Sequence, residues 1–184
     1  MLENFDKKTI KLISNAKKIA RKPNKRPVLP VDIFASFFEI DDETKNLLVR
    51  LNLTKEKLWT EYKKINFENA KSKEIFSKET IKIFLSSLKM INKSKDEKIM
   101  PIHILSALIK ENDPLVNEIL KKLEIKKNEL IILSEKFIKT KALKQKRVMK
   151  LSEYKILINH KQQKLKTQAL KEQYFFLLKL FRKI

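Results

Sequence analysis

Pro30-Val31-Asp32-Ile33-Phe34 and Pro101-Ile102-His103-Ile104-Leu105 stand 71 positions apart and carry the same classes of residue in the same order. Phe5-Asp6-Lys7-Lys8-Thr9-Ile10-Lys11 and Phe76-Ser77-Lys78-Glu79-Thr80-Ile81-Lys82 keep the same spacing. After one extra residue, Leu48, Leu51 and Leu53 match Leu120, Leu123 and Ile125. Segments held in register across intervening sequence mark a duplicated unit. Its size exceeds a solenoid repeat and suits half of a small domain.

Within each unit the pattern reads as helix. Asp6 is an N-cap for a stripe of Ile10, Ile13, Ala16 and Ala20, with Leu12 and Ile19 beside it. Pro23 and Pro27 end that helix, and Pro30 occupies the first turn of a short apolar helix from Val31 to Phe38. Asp41-Asp42 caps a third helix with Leu47, Leu48 and Leu51. Thr54 caps a fourth that turns Leu58, Trp59, Tyr62 and Ile65 inward. The second unit follows suit. Ser77 caps a helix with Ile81, Phe84, Leu85 and Leu88 on its apolar face, Pro101 opens the short helix, Asp113-Pro114 starts the next, and a last one begins near Lys126. The expected architecture is all-α: two tandem four-helix repeats, 1–66 and 74–137, form one pseudo-twofold domain over 1–137. A polar linker joins them. Residues 138–184 form a basic extension, either one long helix or a hairpin turning near Asn159-His160.

Composition removes several function classes. The 184 residues include no glycine. Phosphate-cradling loops, dinucleotide fingerprints and nucleophile elbows depend on glycine for positive φ and close backbone approach. There is no cysteine and there are only two histidines, His103 and His160, which excludes disulfides, thiolate zinc sites and a His-based metal cluster. No catalytic, cofactor-binding or metal-ligating set emerges, so a non-enzyme without cofactors is expected. No signal peptide or stretch of about 20 apolar residues is visible. The expected compartment is the cytoplasm, or the stroma or matrix of an organelle with an AT-rich genome.

The net charge of +21 has two readings. It is an electrostatic footprint for a polyanion, or it is drift in an AT-rich genome that favours Lys and Ile codons over Gly and Arg. The absence of glycine beside abundant Lys and Ile favours drift. The charge is nonetheless uneven, because residues 138–184 hold 14 Lys and Arg against 2 Asp and Glu.

These landmarks resemble the Clp N-terminal domain, the double-repeat module that precedes the ATPase rings of ClpA- and ClpC-type unfoldases, here without the ATPase modules. Phe5 and Phe76 match its opening aromatics. Asp32-Ile33-Phe34-Ala35 and His103-Ile104-Leu105-Ser106 match its histidine-containing core, and the two leucine sets match the repeat endings. The resemblance spans residues 1–137. It implies a non-catalytic interaction module that binds substrates, adaptors or the Clp chaperone–protease machinery. Two departures stand out. The family's usual glycines are missing, so those turns must be made differently. The acid that commonly precedes the core histidine, which helps ClpC-type domains recognise arginine-phosphorylated substrates, falls at the apolar Val31 and Ile102.

Several side chains are candidate contacts for a protein partner. Phe34, Phe37 and Phe38 are expected to meet Leu105, Leu108 and Ile109 of the equivalent helix in the shared core. The resemblance also implies a partner-binding groove between the repeats, and because three phenylalanines exceed one buried face, Phe37 and Phe38 are candidates to line it. Lys144, Arg147 and Lys150 belong to the densest basic run, and Phe175 and Phe176 to the apolar end of the tail. The alternative function is a basic structural component of a ribonucleoprotein or other large assembly, contacting RNA or the ribosome through residues 138–184. His103 is read as a structural residue bonding backbone near a helix start. Trp59 and Tyr62, one turn apart, are read as packing residues, against a stacking platform for bases.

Overall fold

The computed structural model describes residues 2–24, 26–67, 74–94, 98–141, 143 and 152. Its helices are α1 (Lys7–Asn24), α2 (Pro30–Ser36), α3 (Glu43–Arg50), α4 (Lys55–Tyr62), α5 (Lys78–Ser94), α6 (Pro101–Lys110), α7 (Pro114–Lys122) and α8 (127–141). A 3-10 turn, Phe37–Glu39, follows α2. No strand occurs among the described residues. Contacts divide the chain into a unit spanning Met1–Ala142 and another spanning Leu143–Ile184. Only Leu143 and Ser152 of the second are described, so the expected C-terminal helix or hairpin lies outside the described residues.

Proline and short polar side chains decide where the helices start. Pro30, Pro101 and Pro114 open α2, α6 and α7, where the missing N–H is one the helix would leave unbonded anyway. Asp6 Oδ1 accepts from the Thr9 amide at 2.7 Å and Ser77 Oγ from the Thr80 amide at 3.2 Å. Asp42, Thr54 and Asp113 cap α3, α4 and α7 in the same way. At the two central helices the third residue reaches back to the cap. Asp32 Oδ2 accepts from the Leu29 amide at 2.8 Å, and His103 Nδ1 accepts from the Met100 amide at 3.0 Å. His103 therefore does at α6 what Asp32 does at α2.

The halves are joined by reciprocal backbone bonds. Asp6 N–H donates to Ile99 O at 3.0 Å, and Ser77 N–H donates to Val28 O at 3.0 Å. Ile99 N–H donates to Asn4 O, and Val28 N–H to Ile75 O, at 2.6 and 2.9 Å. These form two isolated parallel bridges, Phe5 with Ile99 and Val28 with Phe76. The buried hydroxyls follow the same rule, Thr9 Oγ1 donating to Ile99 O and Thr80 Oγ1 to Val28 O. Every bond has a counterpart with each residue shifted by 71. The helices pack likewise: α1 lies on α2 and on α6, α5 on α6 and on α2, and α2 meets α6 between them. Leu12, Phe34, Phe37, Leu48, Ile83, Ile104, Leu105 and Leu130 fill the resulting core.

The inward face of α5 differs from the sequence expectation. Thr80, Ile83, Ser87 and Ile91 are buried, while Ile81 and Leu85 face solvent. Two of the buried positions are polar, but their hydroxyls are satisfied: Thr80 bonds to Val28 O and Ser87 Oγ to Ile83 O at 2.8 Å. A hydroxyl bonded in this way costs little to bury, which frees the aliphatic side chains to lie outside.

Without glycine, the left-handed turns fall to other residues. Asn52, Asn112 and Glu124 hold φ of 62°, 62° and 57°. Asn tolerates this region, whereas Glu has no local side-chain compensation for its Cβ clash. Glu124 ends α7 as Asn52 ends α3, each followed by a closing bond, Ile125 N–H to Leu120 O and Leu53 N–H to Leu48 O. Glu124→Gly is expected to stabilise the protein by about 1 kcal/mol, read as a higher urea midpoint at unchanged slope. A lower midpoint would show that the turn is not strained.

Candidate functional site

Helices α1 and α5 expose large aliphatic side chains, Ile10 and Ile81 at equivalent positions and Leu85 one turn further along α5. Ile10 is 39% exposed, Ile81 is 43% and Leu85 is 48%. Next to Leu85, Phe84 packs edge-on against Phe5 at 5.9 Å and against Phe76 at 5.3 Å between ring centroids. The N-terminal ends of both helices are thus tied together by one aromatic cluster, and Lys17 Nζ lies 5.0 Å from the Phe76 ring centre. Around the strip, Lys7, Lys11 and Lys78 are exposed. Lys82 is engaged by Glu111 at 2.8 Å, which raises the lysine's pKa through a hydrogen bond and lowers that of Glu111. These exposed aliphatic groups are suited to an apolar segment of a partner.

A second feature is buried. Arg26 and Asp32 form a bidentate pair, Nη1 to Oδ2 at 2.6 Å and Nη2 to Oδ1 at 2.8 Å, with both side chains almost fully enclosed. Tyr62 Oη donates to Asp32 Oδ1 at 2.5 Å and accepts from Arg26 Nη2 at 3.1 Å. The guanidinium stacks on Phe67, 3.8 Å from its centroid. Burial works against the Arg26 charge, but the hydrogen bond and field of Asp32 outweigh it and raise its pKa. Burial, with the Asp32 charge added, pushes the Tyr62 phenol up, so it stays a donor. The cluster ties the loop before α2, the start of α2, the end of α4 and the segment after α4 to one another. Arg26 and Asp32 are internal, and Tyr62 alone of the three borders a neighbouring cleft.

The expected contact residues fare differently. Phe37 is fully buried and Phe38 nearly so. They belong to the shared core, as the first of the two readings has it, and do not line a groove, because both rings follow the 3-10 turn after α2 into the interior. Lys144, Arg147, Lys150, Phe175 and Phe176 lie outside the described residues. Trp59 and Tyr62 pack edge-on with ring centroids 5.0 Å apart, as expected of packing residues. Neither the exposed aliphatic strip nor Arg26 was singled out in the sequence.

Solved structures with the same arrangement exist. The Hsp104 N-terminal domain of Candida albicans superposes with a TM-score of 0.60 at 24% identity, over 72% of this chain and 89% of that one. The N-terminal domain of the Arabidopsis thaliana caseinolytic-protease-associated chaperone ClpD gives 0.61 at 19% identity, over 76% and 97%. The chain has the fold of Clp- and Hsp104-type N-terminal domains. A structure from investigations of a malarial protein secretion system matches at 0.60 and 22% identity, over 73% and 95%. No protein-family model matches the sequence, and no curated protein matches it significantly.

Removing one partner of the buried pair leaves a charge with no counterpart. Asp32→Leu is expected to cost about 3–5 kcal/mol. Adding Arg26→Met to it should recover a substantial part, because the orphaned guanidinium goes too. Denaturant unfolding of the single and double variants checks this; strictly additive losses would contradict it.

Proposed function

We propose that this chain is a non-catalytic protein-binding module that receives apolar segments of protein partners on the α1–α5 strip. The partners are unfolded clients, adaptors or components of the Clp chaperone–protease machinery. The observation that carries this reading is the exposure of Ile10, Ile81 and Leu85 on helices whose inward faces are already complete. Folding does not require aliphatic side chains there, and polar residues would leave the buried face unchanged. Exposed aliphatic groups near lysines suit a surface that is covered part of the time. The resemblance of the fold to chaperone N-terminal domains supports the class of partner.

The experiment is a binding titration of fluorescently labelled, permanently unfolded casein and of a purified Clp-type ATPase ring. The wild-type chain is compared with Ile81→Asp/Leu85→Asp. Both side chains are half exposed, so the variant should keep its thermal midpoint within a few degrees. Its affinity for at least one of the two probes should fall about tenfold or more, as expected when two apolar contacts become charges. Equal affinity of the two proteins, or no binding of either probe to the wild type, would overturn the reading.

A further inference from the structure

A second opening lies away from the strip, between the later turns of α1, the 3-10 turn and α4. It is a cleft of about 760 Å³ bordered by Lys18, Ile19, Glu39, Lys55, Trp59 and Lys63. That volume falls in the usual range for sites that receive a small ligand or a few side chains. Ile19 and Trp59 provide an apolar floor, both partly buried against the core. Lys18 and Lys63 are exposed at its rim. Its one acid, Glu39, is already held by Lys55 at 2.9 Å, and the Glu39 carbonyl accepts from Asn15 Nδ2 at 3.1 Å. The cleft therefore presents a net positive rim around an apolar floor. The Trp59 indole Nε1–H is buried without an acceptor, in a ring that is otherwise fixed edge-on against Tyr62.

The second half does not repeat this arrangement. The positions equivalent to Trp59, Tyr62 and Lys63 are Ile131, Ser134 and Glu135. Glu135 is engaged by Lys110 at 2.6 Å. The aromatic floor and one rim lysine are thus peculiar to the first half, although both halves share their backbone bonding. A pattern required by the fold would recur in both copies, and this one does not.

We infer that the α1–α4 cleft is a docking site for an acidic peptide segment, which seats an apolar side chain on Ile19 and Trp59 and meets Lys18 and Lys63 with its carboxylates. Charge complementarity selects the occupant. RNA would also be drawn to the lysines. However, single-stranded nucleic acid is held by a continuous basic track with aromatic faces for stacking. Here the lysines surround a short cleft, and the Trp59 ring is locked against Tyr62.

Trp59 is the only tryptophan of the chain, so its emission reports on the cleft directly. The full chain is titrated with a short synthetic peptide carrying a Leu-Phe centre flanked by Asp and Glu. Comparison probes are the same peptide with Ser and Gln as flanks, and a single-stranded oligouridine. A saturable change in Trp59 emission with the acidic peptide is expected, weaker with the neutral one and weakened by salt. Lys18→Glu/Lys63→Glu should raise the dissociation constant about tenfold, which is the factor that two rim charges reversed near the ligand supply. Ile81→Asp/Leu85→Asp, at the other surface, should leave it unchanged. No saturable change with the acidic peptide, affinity insensitive to the lysine reversals and to the flanks, loss on the α5 variant instead, or tighter binding of the oligouridine would each overturn the assignment. Circular dichroism melting of each variant separates loss of binding from loss of fold, and the neutral-flank peptide tests the charge requirement on the unaltered chain.

Discussion

Neither half of the first unit completes its own backbone hydrogen bonding. The segment before α1 needs Ile99, and the segment before α5 needs Val28. Each acceptor carbonyl, of Ile99 and of Val28, takes an amide and a threonine hydroxyl from the opposite half. These groups are buried, and a buried polar group without a partner costs about 1–3 kcal/mol. The bonds therefore penalise separation of the halves in addition to exposure of their apolar faces. Because the segments before α2 and α6 are the bridged ones, the same bonds set where Pro30 and Pro101 begin the central helices. The core of Phe34, Phe37, Ile104 and Leu105 collects around those helices.

Once the bridges fix α1 and α5, the burial of each helix face follows. Thr80 and Ser87 turn inward with their hydroxyls bonded, and Ile81 and Leu85 are left outward. The exposed aliphatic side chains of α5 are thus a consequence of the junction. The two halves then diverge in how they hold the starts of their central helices. His103 takes the Met100 amide on its ring Nδ1. Asp32 takes the Leu29 amide as part of an ion pair that is hidden from water and requires Arg26, Tyr62 and Phe67 to satisfy it. Burying such a pair adds little net stability, but its removal in part is costly. It constrains the α4 end of the first half, where Trp59 stands and where the second half has Ile131. The two halves thereby present different surfaces.

Much of this was legible in the sequence and some was not, for identifiable reasons. The helix starts were readable because Pro30, Pro101 and Pro114, and the caps Asp6, Asp42, Thr54, Ser77 and Asp113, act within three residues of themselves. The structural role of His103 followed from its match to Asp32. The α5 face was misread because two sets at helical spacing compete, Ile81-Phe84-Leu85-Leu88 and Thr80-Ile83-Ser87-Ile91. The second set wins through hydroxyl bonds that no hydrophobic pattern records. Phe37 and Phe38 looked surplus to one buried face, but the 3-10 turn shifts their direction and both fit inside. Arg26 gave no signal, being one basic residue in a basic, proline-bounded loop. Its partners Asp32, Tyr62 and Phe67 are brought together only by tertiary structure.

The reciprocal bridges are the central claim, and amide hydrogen exchange of Asp6, Val28, Ser77 and Ile99 tests them most directly. If the halves are mutually dependent, all four amides exchange only through global unfolding. Their opening free energies then agree with one another and with the free energy of denaturant unfolding. Protection at Val28 and Ser77 with fast exchange at Asp6 and Ile99, or the reverse, would contradict the account, because one bridge would then open without the other.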